Sequence, residues 1–540
     1  MRVVGRTSRR LASAWLGCGA SFALAMGLRL WGIDFGLPDL YHPDEPAYVL
    51  QALAVGRGLP DGLTFANPPL LKYLLLGEYA ADYALMRALG ATRSAQQFVE
   101  QFRADPSQLY LIARCTSALF GALTVVAAFA LGSAVRSRRA GLIAAFLTAV
   151  TYLLARESHF GVNDALVTLL VTLGLVFCVR IARGGRRADY LIAGALAGLA
   201  FAAKYYGIAL LAPLVLAHLV SPASRRALRD LALAFGVCVA AAGAGFPSLV
   251  TETGRVVHDI YVHLIVAALG GYDGLDPSGG YVFYARTLGI GLGWLLVAAA
   301  AAGLALSVAR RDRPSLVIAS LPLAMLAGLG AKQLYFARFL LPTLPALIVE
   351  AALPLDVVAA SWPAAGLAAT LLVATPTLVD SIRLDTVLAR ADTRTLARDW
   401  IERSLPAGSV VAVDAPPLGP ALGDDGQHRM LVANGWSLFD LTRDDYRAHG
   451  VDYLVVSSFT SEARAMDPRR EARRAAFFAA LPREASTVAE FRPYSAERPP
   501  PFAYDQIYAP FDALEQLDRP GPTITIYRLS DVNGRASRSP

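Results

Sequence analysis

Charged side chains are scarce in this 540-residue chain. Asp, Glu, Lys and Arg make up 17% of the residues and 55% are hydrophobic, whereas ordinary soluble domains carry about 25% charged residues. That deficit excludes a soluble enzyme of several domains, and the high apolar content excludes intrinsic disorder. Collagen and coiled coil are excluded too, because neither a glycine period nor a heptad period runs through the sequence. The composition predicts an integral membrane protein.

Several sequence signals of soluble chemistry are also missing. The four cysteines are isolated residues in apolar stretches, so they predict neither a disulfide framework nor a metal site. No phosphate-binding glycine loop, zinc motif or serine-nucleophile elbow occurs. The net charge of +7 does not indicate a nucleic-acid partner, because most of the surplus lies in arginine clusters between apolar segments.

Apolar windows recur through the first 379 residues. A membrane-spanning helix needs about 20 mostly apolar residues, and roughly eleven windows approach that length. They cover residues 11–31, 109–135, 140–155, 166–182, 190–203, 205–220, 231–250, 288–309, 316–331, 339–352 and 357–379. The expected fold is therefore a polytopic α-helical membrane protein embedded in a lipid bilayer.

The arginine clusters predict how these spans are oriented. Lys and Arg accumulate in cytoplasmic loops, and arginines cluster in alternate connections at residues 2–10, 136–139, 183–187, 225–229 and 310–313. This pattern predicts a cytoplasmic N-terminus and, with an odd number of spans, an extracytoplasmic C-terminus, in the cytoplasmic (inner) membrane. The first window could instead be a cleaved signal peptide, but its removal would place every later cluster on the wrong side.

The last 161 residues have a different composition and pattern. They carry 20 basic and 23 acidic residues, against 30 and 20 in the first 379. Helical patterns at residues 393–403 and 472–481 alternate with strand patterns at 409–413, 453–457 and 523–527, which is typical of a small α/β domain. We expect a transmembrane domain over residues 1–379, with a catalytic first outer loop at 32–108, and an extracytoplasmic α/β domain over residues 380–540.

Acidic residues at the outer ends of the predicted spans are candidates for chemistry. Asp44 and Glu45 follow the first span, and adjacent carboxylates can act as a general base, a metal ligand or an anchor for a sugar hydroxyl. They can equally cap a helix. Asp164 begins the fourth span, where an ionised group usually faces protein or a water-filled cavity, and capping is again open. Secondary candidates are His42, Arg156, His159 and Lys332.

Lysine is conspicuously rare. Of the 50 basic residues, 47 are arginine, and the only lysines are Lys72, Lys204 and Lys332. All three fall on the outer side in the predicted topology, where a compact ammonium group suits phosphate and Arg338 would add a bidentate fork. We interpret this placement as a site for an anionic headgroup. The alternative is that lysines snorkel readily at interfaces.

Metal-ligating patterns are weak. His258 and His263 lie near Asp259, Asp273 and Asp276 in one outer connection, but the spacing matches no tight metal motif. A solvated loop is the favoured interpretation. Whether a divalent metal ion is a cofactor stays open at this point.

Five short motifs occur in a characteristic order. They are His42-Pro43-Asp44-Glu45, Asn67-Pro68-Pro69-Leu70-Leu71-Lys72, the stretch 156–164, Ala203-Lys204-Tyr205-Tyr206-Gly207 and Arg338-Phe339-Leu340-Leu341-Pro342. In these motifs the chain resembles the dolichyl-phosphate-mannose protein mannosyltransferase superfamily, which includes the lipid A aminoarabinose transferase and has the glycosyltransferase C fold. The start of the tail, residues 397–409, resembles the soluble domain of bacterial relatives.

The resemblance implies a specific activity. It implies inverting transfer of a sugar, hexose or pentose, from a polyprenyl-phosphate donor to a hydroxyl or amine of an acceptor glycan, lipid or protein on the outer face. Asp44 would be the catalytic carboxylate, Asp164 a second acidic residue, and Lys72 would lie by the donor phosphate. Asn67 replaces the histidine usual in eukaryotic protein mannosyltransferases, which weakens the case for a protein acceptor.

Physical reasoning from the residues supports the same chemistry. A departing phosphate is stabilised by fixed cations such as Lys72, Lys204 and Arg338, and a carboxylate such as Asp44 can take the acceptor's proton. Glu45 would help to orient the sugar or the acceptor. A secondary transporter is the main alternative, and a lipid-binding scaffold with a decayed site is a third. Transport is disfavoured because the ionisable groups cluster at span ends and the two halves show no evident repeat.

Overall fold

The structure is a computed structural model that describes residues 2–58, 64–222, 228–423, 428–433 and 438–529. The chain forms two compact units. The first comprises Met1–Ile33, Asp44–Gly270 and Ser278–Asp385, and the second comprises Asp34–Pro43, Gly271–Pro277 and Thr386–Pro540. The division into functional domains at residue 379 stays a prediction.

The described part of the first unit is helical throughout. A π-helical turn, Tyr261–Val266, follows α13, and 3-10 segments at Tyr205–Leu210 and Ala337–Thr343 precede α10 and α18. The α-helices are α1 Arg2–Leu30, α2 Pro46–Gly56, α3 Leu70–Ala88, α4 Ala95–Ala104, α5 Ser107–Val135, α6 Arg138–Val150, α7 Tyr152–Arg156, α8 Asp164–Ala182, α9 Arg187–Ala203, α10 Leu211–Val220, α11 Leu228–Gly245, α12 Ser248–Thr251, α13 Thr253–Ile260, α14 Ala267–Gly270, α15 Gly280–Leu292, α16 Trp294–Arg310, α17 Arg313–Gly330, α18 Leu344–Ser361 and α19 Pro363–Leu388.

All eleven predicted windows lie on helical segments, but fewer of them are long enough to cross a membrane unaided. Among the described residues, six helical stretches pass by length and composition, or seven if the bent pair α15–α16 forms one span. The count of eleven is therefore not confirmed, because several windows are short or interrupted. The six are Ser107–Val135, Asp164–Ala182, Leu228–Gly245, Arg313–Gly330, Ala337–Ser361 and Pro363–Ser404.

The window at 288–309 is divided by a sharp bend. Helices α15 and α16 meet at 108°, and Gly293 between them has a φ of +79°. This left-handed conformation favours glycine, which has no Cβ to clash with the following carbonyl. A sequence that looks like one continuous span therefore forms two helices.

Helices α9 and α11 pack with their backbones in close approach. A Cβ atom on Gly194 would lie 2.2 Å from Ala234 O, and one on Gly198 would lie 2.2 Å from Cys238 O. Small residues permit this spacing in membrane helix pairs, where dispersion and close packing replace the hydrophobic drive of water.

The second unit contains a five-stranded sheet flanked by helices. The elements are α20 Thr393–Ser404, β1 Val410–Asp414, β2 Arg429–Ala433, α21 Arg443–Ala448, β3 Tyr453–Ser457, α22 Ser458–Ser461, α23 Pro468–Glu484, β4 Ala485–Phe491 and β5 Ile524–Leu529. Strand order is β2-β1-β3-β5-β4, with β1 parallel to β2 and β3, and β5 antiparallel to β3 and β4.

Side chains from both faces of this sheet are buried. Val411 and Val413 of β1 pack with Ile401 of α20, whereas Ala412 packs on the other face with Leu481 of α23. This alternation is the period of two expected for a strand, and it confirms the predicted strands at 409–413, 453–457 and 523–527. Strands β2 and β4 were not predicted, because both are largely exposed edge strands with mixed polar and apolar residues.

Two segments from earlier in the chain complete the second unit. Asp39 forms an ion pair with Arg398 and accepts a hydrogen bond from Thr395 Oγ1 at 2.8 Å. The Arg394 guanidinium lies 4.0 Å above the ring of Tyr41. Part of the predicted first outer loop therefore belongs to the unit that contains the tail.

Candidate active site

Four charged side chains from four separate segments lie together in the first unit. Lys204 Nζ donates to Asp164 Oδ1 at 2.6 Å, and Arg338 Nη2 lies 3.0 Å from Asp44 Oδ2. Lys204 Nζ also lies 5.7 Å from the ring centroid of Phe339, the residue that follows Arg338, so the two ion pairs are neighbours. We call these four residues the charged cluster.

Breaks and ends of helices position the cluster. Asp44 lies just before α2, which opens with Pro46 at its first turn, where a missing N–H costs nothing. Asp164 is the first residue of α8. Lys204 is extended, with φ −157° and ψ 133°, between α9 and the following 3-10 segment. Arg338 lies in the 3-10 segment that precedes α18.

The two carboxylates of the cluster differ in exposure. Asp164 is 2% exposed, and the same Oδ1 that binds Lys204 also accepts a hydrogen bond from Tyr206 Oη at 2.9 Å. The Lys204 ammonium lies 5.3 Å from the ring centroid of Tyr206 and 5.7 Å from that of Phe339. Asp44 is 33% exposed. Asp44 is thus the more accessible of the two carboxylates, and Asp164 is held by its partners.

Tyr48 is a further member of this site. It is buried on α2, and the charges of Asp164, Asp44 and Arg338 all act on its hydroxyl. Sequence reasoning missed it, although its position one helical turn after Asp44 predicts that both residues face the same way.

Glu45 has a separate set of partners. Its two carboxylate oxygens accept from Arg114 Nε and Nη2, each at 2.7 Å, and Oε1 also accepts from the Gly161 N–H at 2.8 Å. Both side chains of this pair are fully buried. Glu45 therefore ties the start of α2 to α5 and to the connection before α8. This geometry favours a positioning role, and a catalytic role for Glu45 stays a prediction.

Arg114, the partner of Glu45, was also missed. Its Nη1 donates to Ile33 O at 2.8 Å. The available signal is a single arginine inside the apolar window 109–135, since a charge within a span usually faces protein and serves a function.

Lys72 lies in other surroundings. Its Nζ donates to Thr64 O at 2.9 Å and to Asn67 O at 3.0 Å. Burial lowers the pKa of Lys72 to about 7, and the charge of Asp259 partly opposes this shift. These bonds close the turn that precedes α3. The predicted role of Lys72 beside a donor phosphate is untested.

Two of the secondary candidates are buried in the connection between α7 and α8. Arg156 pairs with Glu157, and both are buried. His159 Nδ1 lies 2.9 Å from Ala155 O, while Nε2 lies 3.1 Å from Trp31 O and 3.4 Å from Asp385 Oδ1. These contacts hold the connection in place.

The other two secondary candidates lie elsewhere. His42 belongs to the second unit, where its ring centroid is 5.5 Å from that of Tyr508. Lys332 follows α17, and burial lowers the pKa of its amine. Its side chain does not take part in the ion pairs described for the charged cluster.

No metal ligand can be assigned. In the part of the chain that the structure describes, no three His, Cys, Asp or Glu side chains group closely enough to hold a metal ion. Asp259, in the connection proposed as a weak candidate, instead accepts a hydrogen bond from the Phe65 N–H at 2.7 Å.

Comparison with known proteins identifies the fold. Residues 109–247 match the family described as dolichyl-phosphate-mannose-protein mannosyltransferase. ArnT from Cupriavidus metallidurans bound to undecaprenyl phosphate is 16% identical and has a TM-score of 0.53, over 97% of this chain and 100% of that one. AglB from Archaeoglobus fulgidus, in complex with an inhibitory peptide and a dolichol-phosphate, is 14% identical with a TM-score of 0.50, over 90% and 74%. No curated protein sequence matches.

These findings confirm the resemblance that the motifs predict. The chain is similar to the dolichyl-phosphate-mannose protein mannosyltransferase superfamily and has the glycosyltransferase C fold. It is a multi-pass membrane protein, and its fold does not favour a secondary transporter.

Proposed function

We propose that this chain is an inverting membrane glycosyltransferase. It transfers a sugar from a polyprenyl-phosphate donor to an acceptor on the outer face of the cytoplasmic membrane. The observation that carries the proposal is the charged cluster, in which two carboxylates and two cations from distant segments converge. Lipid phosphates bound to ArnT and AglB, which have the same fold, support the choice of donor.

The cluster supplies the two functions that the reaction requires. Asp44, the more exposed carboxylate, accepts the proton of the acceptor hydroxyl or amine as that atom attacks the anomeric carbon. The bond from this carbon to the phosphate oxygen breaks, and its electron pair leaves with the lipid phosphate. Arg338 and Lys204 stabilise the departing anion, the first through a planar fork and the second as a point charge. A single displacement inverts the anomeric centre.

Asp164 acts through Lys204. Its 2.6 Å bond to the lysine and its 2.9 Å bond from Tyr206 fix the ammonium in one position. A cation fixed before the reaction costs no reorganisation when charge develops on the phosphate. In this proposal Asp164 is a positioning residue.

The sequence supports a membrane topology and a class of acceptor. The arginine clusters favour a cytoplasmic N-terminus, and the second unit then lies outside the cell membrane, where it can meet an acceptor. Asn67 at the position usually occupied by histidine favours an envelope glycan or lipid over a protein. The transferred sugar is a hexose or a pentose.

Mass spectrometry of envelope lipids and glycans tests the activity. Cells that lack the chain are complemented with wild type, Asp44→Asn, or the matched control Glu100→Gln, which alters an exposed carboxylate in the same loop. We expect the same sugar-modified product with wild type and control. Asp44→Asn should reduce it by about 10²-fold to 10⁴-fold, the usual contribution of a general base. Normal product with Asp44→Asn at normal protein level would contradict the assignment of the base.

A further inference from the structure

A second concentration of positive charge lies far from the charged cluster. A cleft of about 550 Å³ opens where α5, α8, α16 and α17 end or begin. It is lined by Arg136, Arg183, Arg310, Arg311 and Arg313, with Asp312 among them. We call it the arginine cleft. Helix α8 begins at Asp164 of the charged cluster and ends at Ala182 beside the cleft; its 19 residues span about 28 Å.

Part of the cleft is fixed by contacts with the protein. Arg136 Nε lies 2.7 Å from Asp356 Oδ2, Arg183 Nη2 donates to Val135 O at 2.7 Å, and Arg313 Nη1 donates to Val220 O at 3.1 Å. These bonds hold three guanidinium groups at the wall.

The remaining two arginines are available to a ligand. Among the described residues, neither Arg310 nor Arg311 pairs with a carboxylate, and both are exposed. Arg311 also has a φ of +51°, in the left-handed region where glycine is usual at a helix C-terminus. The absence of a carboxylate partner is one indication that Arg311 has a role other than ending α16. The arginine at a backbone conformation that glycine fits better is a second indication.

The charge and surroundings of the cleft indicate the chemical class of ligand that would bind there. Five arginines and one carboxylate, Asp312, line the cleft, and the Asp356 carboxylate that contacts Arg136 is shared with Arg139, so positive charge is in excess there. Guanidinium forks bind phosphate oxygens bidentately. Val308, two residues before Arg310, and Leu219, next to the Val220 carbonyl that binds Arg313, are 57% and 66% exposed, and such apolar side chains suit acyl chains. Basic pockets between transmembrane helix ends are typical sites for anionic lipid headgroups.

We propose that the arginine cleft binds the phosphate headgroup of an anionic phospholipid in the leaflet opposite to the charged cluster. Arginines on the predicted cytoplasmic side could serve only to orient the spans in the membrane. That role does not require five of them to line one cleft. A lipid held there would brace the ends of α5, α8, α16 and α17 against one another. This proposal does not depend on the glycosyltransferase activity.

Lipid binding to the purified full-length chain tests the proposal. Native mass spectrometry would count the lipids retained from detergent with added phosphatidylglycerol or phosphatidylcholine. The test variant is Arg310→Gln/Arg311→Gln. The matched control, Arg138→Gln/Arg229→Gln, removes two exposed arginines from the same predicted side but outside the cleft.

We expect wild type and control to retain phosphatidylglycerol in preference to phosphatidylcholine. The cleft variant should bind phosphatidylglycerol about thirtyfold more weakly, since each arginine contributes roughly fivefold at a lipid surface. Equal weakening in both double variants, or no preference for the anionic lipid, would overturn the proposal. Displacement of the lipid by inorganic phosphate at equal concentration would overturn the lipid as the source of the phosphate.

Discussion

Replacing Glu45 with glutamine separates a positioning role from a catalytic one. In wild type the Glu45 carboxylate accepts two hydrogen bonds from Arg114 and one from the Gly161 N–H. Glutamine has nearly the same shape, but it is neutral and presents an NH₂ group to one of the guanidinium nitrogens. Two donors then face each other, and the Arg114 charge loses the carboxylate that two of its nitrogens contact.

The magnitude follows from burial. Both side chains of the pair are fully buried, and removing one partner of a buried ion pair costs about 3–5 kcal/mol, because the other charge stays buried without compensation. For a unit of this size that loss lowers the midpoint of thermal unfolding by about 4–6 °C. Arg114→Met in the Glu45→Gln background removes the stranded charge, so the double variant should be less destabilised than the sum of the single variants.

Thermal unfolding of the purified chain in detergent, followed by tryptophan fluorescence, measures this effect. Glu490→Gln is the matched control, since its ion pair with Arg492 is half exposed and such pairs contribute about 0–1 kcal/mol. Sugar transfer is measured in parallel below the unfolding temperature. A Glu45→Gln protein with wild-type thermal stability and no transfer would refute the positioning role and make Glu45 a substrate contact.

Three further predictions test other sites. Lys204→Ala should raise the apparent KM for the lipid donor about tenfold or more while changing the acceptor KM little, and equal changes in both titrations would argue against a phosphate contact. Burial lowers the pKa of Lys72 to about 7 from its ordinary 10.5, so between these pH values the unfolded chain binds more protons than the folded chain. The stability of wild type relative to Lys72→Met should therefore rise from pH 7 to pH 10. Unfolding midpoints of the two proteins that change in parallel with pH would contradict this. Gly198→Leu should lower stability by about 1–3 kcal/mol, since any Cβ there meets Cys238 O at 2.2 Å, whereas Gly236→Ala, with nothing within 4 Å of its Cβ, should not.

The position of the site could be predicted because it depends on topology. Asp44, Asp164, Lys204 and Arg338 all lie at the ends or breaks of apolar segments, and the arginine clusters predict that those ends lie on one side of the membrane. The span ends on one side of a helical bundle share a small surface, so residues at those ends lie close together. Their convergence is therefore a consequence of the span pattern.

The pairing within the site could not be predicted in the same way. Adjacent carboxylates at 44 and 45 look equivalent in the sequence, yet one pairs with Arg338 near the surface and the other with buried Arg114. The two side chains precede the helix that begins at Pro46 and point in different directions. Which of them faces α5 depends on tertiary packing, which the sequence pattern does not give. Likewise, Gly293 bends a window whose apolar composition indicates a continuous span.

Two of the three lysines lie in buried polar surroundings that the sequence pattern only partly indicated. Lys72 and Lys204 are both buried, and their amines meet two carbonyls in one case and a single carboxylate oxygen in the other. A guanidinium brings five N–H donors in a rigid plane, and such sites could not satisfy them all, whereas an ammonium brings three that rotate freely. Burial alone does not select lysine, because Arg29 is also buried and its Nη1 donates to two carbonyl oxygens, those of Ala25 and Ala149, at 3.1 Å each. Of the two buried lysines, Lys204 has a second ion pair beside it and is therefore the stronger candidate for a ligand contact.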